Sequence, residues 1–268
     1  MAVIRRFPLA SFFAIAYGAS LIALVILGLP PLPGKPGHPP VAALIVFPLL
    51  VIAVGAAGVA LSGVVGGRSA VRGLLRGIRR WRVGRAWIAL LIPPACILAS
   101  LLLLRLLVSS AYAPQVFLVG ILFGLVAGFF EELGWTGFAY PRMELRFGPL
   151  AGALVLGMLW GLWHFPVVDS LGAAAPHGDT WPLFFGAFVL AMTALRVLIV
   201  WIYRRSGSLL MAQLMHASST GSLVVFGAPH VSATQEATWY ALYGALLAIV
   251  TAVMWRVVPA RQRVPTAA

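Results

Sequence analysis

Apolar stretches about as long as a bilayer-spanning helix recur along the whole chain. A helix rises about 1.5 Å per residue, so about 20 mostly apolar residues cross a hydrocarbon core about 30 Å thick. Only 9% of the 268 residues are charged, whereas soluble domains carry about 25%. We therefore predict an all-α, polytopic membrane protein with about eight transmembrane helices. The predicted spans lie near residues 8–30, 41–64, 86–108, 115–133, 149–166, 182–203, 207–227 and 238–257.

Helix-breaking residues separate the predicted spans. The segment Pro30–Pro40 is rich in Pro and Gly, and Gly66-Gly67, Gly148-Pro149 and Gly207 mark other boundaries. The first apolar stretch exceeds the 7–15 residues typical of a signal peptide's apolar region, so we interpret it as the first span. No second domain or internal repeat is apparent, which predicts a single membrane domain over residues 1–268.

Basic residues predict the orientation, because Lys and Arg in short loops are retained on the cytoplasmic side. With eight spans and a cytoplasmic N-terminus, 16 of the 19 Lys and Arg fall on that side. The exceptions are Lys35 in an outer loop, Arg105 near an outer helix end and Arg196 inside a span. We therefore expect a multi-pass protein of a bacterial cell membrane with both termini in the cytoplasm.

The net charge of +13 is typical of a membrane protein that contacts anionic lipids, and nucleic-acid binding is not expected. Residues 66–85 carry Arg at helical spacing with Leu, Ile and Trp between, which predicts an amphipathic helix on the cytoplasmic surface. Cys96, the single cysteine, lies in an apolar span and is interpreted as a packing residue, so the chain forms no internal disulfide.

Two of the six acids do not fit a simple solvated loop. Glu131 and Glu132 directly follow an apolar run and are predicted at or just inside the cytoplasmic boundary. An ionised acid inside a span is costly and usually faces a polar cavity, so the pair predicts a functional site unless both side chains reach headgroup water. Solvated loop positions are expected for the other four acids, Glu144, Asp169, Asp179 and Glu236.

Two histidines also lie within predicted spans. His164 ends the fifth span and His216 lies inside the seventh, whereas His38, His177 and His230 are expected in solvated outer loops. A carboxylate can take a proton from water, and imidazoles can orient that water, bind metal or stabilise an oxyanion. The linear depths of Glu131, His164 and His216 do not coincide, so convergence requires tilted or kinked spans. The alternative is that each histidine simply packs.

Three sequence motifs resemble those of the CPBP family, which comprises type II CaaX prenyl proteases and bacteriocin-processing or immunity proteins, also called Abi. They are EELGWTGFAYPRMELRFG from Glu131, LWGLWHFP ending at Pro166, and SLLMAQLMHASST from Ser208 to Thr220. The resemblance covers about residues 66–227, with a motif-bearing core at about 115–227. It implies an eight-helix intramembrane endopeptidase that acts on a membrane-embedded or lipid-modified peptide.

The resemblance also assigns residue roles. Glu131 matches the catalytic glutamate, and His164 matches the histidine that helps it activate water. Glu132 matches the second acid of the pair, and His216 the histidine at the oxyanion site. Both a zinc-dependent and a metal-free mechanism are compatible with the resemblance, and zinc would be held by Glu131, His164 and His216.

Two positions depart from the family pattern. Thr136 stands where the first motif commonly has Arg, and Thr220 stands where the third commonly has Asn or Asp. Thr220 retains a hydroxyl one turn from His216 and is predicted to contribute to the catalytic site. We hypothesise that Arg196 faces the bundle and pairs with Glu131 or Glu132. The alternative is that it snorkels inward.

Three function classes follow from these residues. An intramembrane protease is the leading hypothesis. A catalytically silent scaffold or bacteriocin-immunity protein of the same family is the alternative, which Thr136 and Thr220 favour. A proton-coupled transporter, with the Glu pair as a proton relay, is the third.

Overall fold

The chain is built from α-helices, and its computed structural model describes residues 1–26 and 41–257. Within these ranges there is no strand. Short 3₁₀ segments occur at Gly84–Leu91, Ser110–Tyr112 and Gly178–Thr180. The α-helices are α1 (Ala2–Arg6), α2 (Pro8–Ile26), α3 (Val41–Ile78), α4 (Ile92–Leu107), α5 (Val119–Gly134), α6 (Tyr140–Phe147), α7 (Pro149–Trp163), α8 (Phe165–Leu171), α9 (Trp181–Ser206), α10 (Leu209–Val225) and α11 (Ala233–Val257).

Glycines end or kink the helices where the sequence predicts boundaries. Gly67 interrupts α3 with φ 65° and ψ −161°. Gly148 separates α6 from α7 at φ 79°, and Gly207 ends α9 in the left-handed region at φ 63°. A residue with a Cβ is strained at such positive φ values. These three predicted boundaries are confirmed.

Among the described residues, five helical segments are long and apolar enough to cross a membrane, and three shorter apolar helices accompany them. Apolar side chains on the outer surface are exposed, including Leu106 at 80%, Leu190 at 70% and Ile249 at 62%. Such a surface suits lipid and would be an aggregation liability in water. The chain is therefore an all-α membrane protein, as predicted. The count of about eight spans stays a prediction.

Some features predicted from the sequence lie outside the described residues. These are the Pro-rich segment with Lys35 and His38, and the C-terminal Arg261 and Arg263. The side chain of Asp169 is also outside the described set.

The Arg-rich segment is helical over only part of its length. After the kink at Gly67, the helix continues to Ile78 and exposes Arg68, Arg72 and Arg76 at intervals of four residues. Leu74 lies on the opposite side and packs against the core. Residues 79–83 are not helical, and the 3₁₀ segment begins at Gly84. Placement of this segment at the cytoplasmic surface stays a prediction.

Large aromatic side chains fill the centre of the bundle. Trp135, Trp160 and Trp163 are fully buried. The indole Nε1 of Trp163 donates to the carbonyl of Ala16 over 3.0 Å, and Tyr17 donates its hydroxyl hydrogen to the carbonyl of Leu159 over 2.5 Å. These bonds fasten α2 to α7, the helix that contains Trp160 and is followed directly by His164. Cys96 is buried among the core side chains, which confirms its interpretation as a packing residue.

Candidate active site

Glu131 and Glu132 lie in the middle of a long helix and are fully buried. α5 continues through a π-helical turn, Trp135–Ala139, into α6, so one apolar helical segment extends from Val119 to Phe147. The helix therefore continues past the predicted span end at residue 133, and the acids are buried within the bundle and do not reach headgroup water. Their placement at the cytoplasmic boundary stays a prediction. π-Helical turns inside α-helices occur frequently at functional sites. Because the acids lie at mid-helix, the pair can meet His216, which lies well inside α10, and His164, which lies between α7 and α8.

Glu132 is held by three partners from three helical segments. Its Oε2 accepts from Arg196 Nη1 over 2.6 Å and from the hydroxyl of Thr136. Its Oε1 lies 2.7 Å from Nδ1 of His216. Arg196 and His216 are themselves almost fully buried, at 0% and 1% exposed. The hypothesis that Arg196 faces the bundle and pairs with the glutamates is confirmed, and its partner is Glu132.

Glu131 has a different environment from its neighbour. Its Oε2 accepts from the indole Nε1 of Trp160 over 2.7 Å. Its Oε1 is buried and has no hydrogen-bond partner among the described residues. A buried carboxylate oxygen normally accepts at least one hydrogen bond. Of the two acids, Glu131 is thus the one with acceptor capacity left for water or substrate.

Trp160 joins the parts of the site. The Cζ of Arg196 lies 4.2 Å from the centroid of its ring, within cation–π range. The rings of His216 and His164 contact it edge-on, with centroid distances of 4.9 and 5.3 Å. We call this assembly the buried polar cluster, and its members are Glu131, Glu132, Thr136, Trp160, His164, Arg196 and His216.

The hydrogen bond of His164 fixes its tautomer. Its Nδ1 lies 2.9 Å from the carbonyl oxygen of Trp160, one turn back in α7. A carbonyl only accepts, so Nδ1 carries the hydrogen. In the neutral ring, Nε2 is then an acceptor, and it makes no hydrogen bond among the described residues. His164 is 8% exposed, the highest value in the cluster.

Close approach of α5 to α10 brings the glutamates and His216 together. A Cβ added to Gly124 would lie 2.4 Å from the carbonyl oxygen of Ala217, and one added to Gly128 would lie 2.3 Å from that of Gln213. Small residues allow membrane helices to pack backbone to backbone in this way. The side-chain amide of Gln213 also donates to the carbonyl of Phe129 over 2.8 Å.

Thr220, the remaining predicted site residue, is not joined to the cluster. Its side chain is partly buried, and its hydroxyl makes no hydrogen bond within the described part of the chain. The neighbouring hydroxyl of Ser219 is fully buried and lies 2.8 Å from that of Tyr243. A catalytic role for Thr220 stays a prediction.

Sequence reasoning missed the contributions of Trp160 and Thr136. In the sequence analysis, Thr136 is noted only because it stands where the family commonly has Arg. In the structure, its hydroxyl donates to Glu132 from one turn away. Its spacing of four residues from Glu132 was the available signal. Trp160 stands four residues before His164, on the same helical face, but spacing does not reveal that its indole reaches another helix.

The donor set does not fit a metal centre. Within residues 1–26 and 41–257, no three His, Cys, Asp or Glu side chains are grouped so that they could hold one ion. Glu131, His164 and His216, the ligands named for zinc, are thus not arranged as a ligand set in this structure.

A second buried acid lies away from the cluster and corrects an expectation. Glu236 and His177 are 1% and 2% exposed, so their predicted solvated positions are wrong. The carboxylate of Glu236 accepts from the backbone N–H groups of Ala173 and Ala174 and lies 3.1 Å from Nε2 of His177. This acid fastens the loop before α9 to the first turn of α11.

The remaining acids and outer histidine are nearer to expectation. Asp179 and His230 are exposed. Glu144, in α6 and not in a loop, is partly buried and forms an ion pair with Arg204.

Fold and site together define a membrane protein with a buried acid and histidine cluster. Residues 113–221 match the family model for type II CAAX prenyl endopeptidase Rce1-like. This range contains every member of the cluster, and it confirms the resemblance to the CPBP family. The Arg-rich segment lies outside the matched range, which is narrower than the predicted 66–227.

A curated relative agrees with this match. CAAX prenyl protease 2 of Methanococcus maripaludis is 27% identical over 110 residues. The matched region covers 40% of this chain and 39% of that protein. The chain thus matches well under half the length of this relative, and residues 113–221 are the part of it that resembles the Rce1-like family.

Proposed function

We propose that the protein is an intramembrane endopeptidase in which Glu131 activates water to cleave a lipid-modified or membrane-embedded peptide. One observation carries this proposal. Within a segment matched to CAAX prenyl endopeptidases, Glu131 has a buried oxygen with no hydrogen-bond partner among the described residues. The prenylated substrate class is suggested by the name of the matched family and relative.

The contacts support distinct roles for the two glutamates. Arg196, Thr136 and His216 surround Glu132, so its two oxygens are already engaged. Glu131 keeps Oε1 available and is held in place through Oε2 by Trp160. We therefore assign proton transfer to Glu131 and positioning to Glu132.

In the proposed reaction, Oε1 of Glu131 takes one proton from water, while Nε2 of His164 accepts a hydrogen bond from the O–H that stays on the water oxygen. The water oxygen bonds to the carbonyl carbon of the scissile peptide, and the carbonyl electrons move onto its oxygen. The Glu131 carboxylic acid then returns its proton to the peptide nitrogen. The carbon–nitrogen bond breaks, which leaves a new carboxylic acid and a new amine, and the acid proton then passes to the amine to give a carboxylate and an ammonium group.

His216 is suited to stabilise the tetrahedral oxyanion. When its ring is protonated, Nδ1 donates to Glu132 and Nε2 presents a second N–H for the developing charge. The full burial of Glu131 means that substrate has to displace packed side chains before it reaches the carboxylate. Such conformational steps set the rate of many enzymes.

A direct test uses purified protein in detergent and a farnesylated peptide ending in a CaaX sequence. We expect the wild type to release the C-terminal residues, and Glu131→Gln to reduce kcat by about 10²–10⁴-fold. Asp179→Asn is the matched control, since it removes an exposed acid and is expected to keep full activity. In cells, new peptide termini in the membrane fraction should vanish in both Glu131→Gln and His164→Ala.

Trp160→Phe tests how Glu131 is positioned. It removes the indole donor but keeps a ring beside Arg196, so kcat should fall about tenfold with little change in unfolding temperature. Trp87→Phe loses an indole bond to the carbonyl of Trp81, with neither residue in the cluster, and should retain activity. If folded wild-type protein cleaves neither the peptide nor any membrane protein, the silent scaffold replaces the protease.

A further inference from the structure

A groove lined by arginines lies away from the buried polar cluster. It encloses about 650 Å³ between the segment that precedes α4 and the ends of α9 and α11. Arg80, Arg82 and Arg85 line one side, and Arg205 lines the other. We call this site the arginine groove. Neither Glu131 nor either cluster histidine lines it, so it is separate from the proposed peptidase site.

The four guanidinium groups of the arginine groove have no acidic partner. All four side chains are exposed, and none forms an ion pair with any carboxylate in the described ranges. No Asp or Glu lines the groove. By contrast, Arg196 and Arg204 each pair with a glutamate. Like charges gathered without a counter-charge repel one another, and an anion between them would relieve that repulsion.

The backbone around the groove is held in place before any ligand arrives. The Ser208 hydroxyl donates to the carbonyl of Arg80 over 2.5 Å, which joins the loop to the start of α10. The indole Nε1 of Trp87 donates to the carbonyl of Trp81 over 3.2 Å. A preformed site loses less entropy on binding than a flexible loop does.

Apolar side chains line the groove together with the arginines. Ile88, Ile92 and Met254 line it, and Ile88 is 65% exposed. These residues belong to segments apolar enough to cross the membrane. A ligand that fits both parts has an anionic head and a hydrocarbon tail.

We propose that the arginine groove binds the phosphate of an anionic glycerophospholipid, with an acyl chain along Ile88, Ile92 and Met254. Arginine suits this task because its planar fork of N–H donors matches phosphate oxygens. The positive-inside pattern predicts that the lipid comes from the cytoplasmic leaflet. The bound lipid would connect the start of the α4 span to the ends of α9 and α11. Because α9 carries Arg196, the lipid would stabilise a helix of the cluster.

The test compares two triple variants with equal loss of charge. The first, Arg82→Gln/Arg85→Gln/Arg205→Gln, removes three groove arginines. The control, Arg68→Gln/Arg72→Gln/Arg76→Gln, removes three exposed arginines that do not line the groove. Native mass spectrometry of delipidated full-length protein measures binding of phosphatidylglycerol, phosphatidylcholine and sn-glycerol 3-phosphate. Unfolding temperature in detergent reports whether each variant is folded.

We expect phosphatidylglycerol to bind wild type at least about tenfold more tightly than phosphatidylcholine, and the groove variant to lose about tenfold or more. The control variant should stay within about twofold of wild type. Equal losses in both triple variants would mean diffuse charge attraction and overturn the proposal. Competition by glycerol 3-phosphate as strong as that of the lipid would identify a soluble-anion site and overturn the lipid assignment. Peptidase activity is not a readout, so this result is independent of the proposed function.

Discussion

A guanidinium group buried inside a membrane bundle needs a permanent partner, and Arg196 has one in Glu132. Both side chains are 0% exposed, and the bond between them is 2.6 Å long. A partnered buried pair adds little net stability, but removal of one partner leaves an isolated charge in a medium of low dielectric constant. The pair is therefore better understood as fixing the position of Glu132, and through it His216, than as a source of stability.

Arg196→Gln should destabilise the protein by about 3–5 kcal/mol, because it leaves the Glu132 carboxylate buried without a cation. The measurement is the unfolding midpoint in detergent, with peptidase activity followed in parallel. Arg105→Gln is the control, since Arg105 is an exposed cation near the end of α4. Its effect should stay within about 0.5 kcal/mol. Equal midpoints for Arg196→Gln and wild type would contradict the buried-pair interpretation.

The sequence predicts site residues where a charged side chain in an apolar span carries a free-energy cost. Charges inside apolar runs identify Glu131, Glu132 and Arg196, because hydrocarbon penalises them. The prediction of exposed side chains was wrong for Glu236 and His177, which the sequence places in loops. Backbone N–H groups of Ala173 and Ala174 satisfy Glu236 locally, so the acid can be buried near a helix end. No pattern of polar residues indicates such backbone partners.

The helix α5 and its continuation position both glutamates of the candidate site. Hydropathy ends the span near residue 133, since two acids directly precede it and Arg142, Glu144 and Arg146 follow. In the structure, the acids find partners within the bundle and the helix continues to Phe147 through a π-helical turn. The sequence therefore predicts that the helix exists and carries the site, but not its length, because tertiary partners offset the local polarity.

Packing of α5 on α10 gives a prediction at the same scale. Gly128→Ala places a Cβ 2.3 Å from the backbone carbonyl of Gln213 and 2.8 Å from the amide nitrogen of Ala217. Neither backbone can move without separating the glutamates from His216. We expect a loss of about 1–3 kcal/mol from overpacking, together with reduced peptidase activity.

Gly186→Ala is the matched control for this helix pair. Gly186 lies in α9, and a Cβ there would meet nothing within 4 Å. Ala is a better helix former than Gly, so this variant should gain up to about 1 kcal/mol in stability. The unfolding midpoint should fall in Gly128→Ala and rise in Gly186→Ala. The kcat should fall only in Gly128→Ala. A fully active, stable Gly128→Ala protein would contradict the close approach of α5 and α10.

At the scale of the whole molecule, the outer surface is rich in apolar side chains, unlike that of a soluble protein. Exposed leucines and isoleucines surround the bundle, and its interior contains the buried acids, Arg196 and the cluster histidines. Composition predicts this arrangement, since 62% of the residues are hydrophobic. The three-dimensional convergence of the cluster depends on helix contacts that only the folded chain provides.

The orientation of this bundle is the last prediction, and it rests on the arginine asymmetry. Arg76 and Asp179 are both exposed and are predicted on opposite sides of the membrane. Single cysteines at these positions, in a Cys96→Ala background, can be labelled in intact cells with a membrane-impermeant maleimide. We expect Asp179→Cys to react and Arg76→Cys to react only after the membrane is permeabilised. The reverse pattern would place the arginine groove outside the cell, where the cytoplasmic leaflet could not supply its lipid.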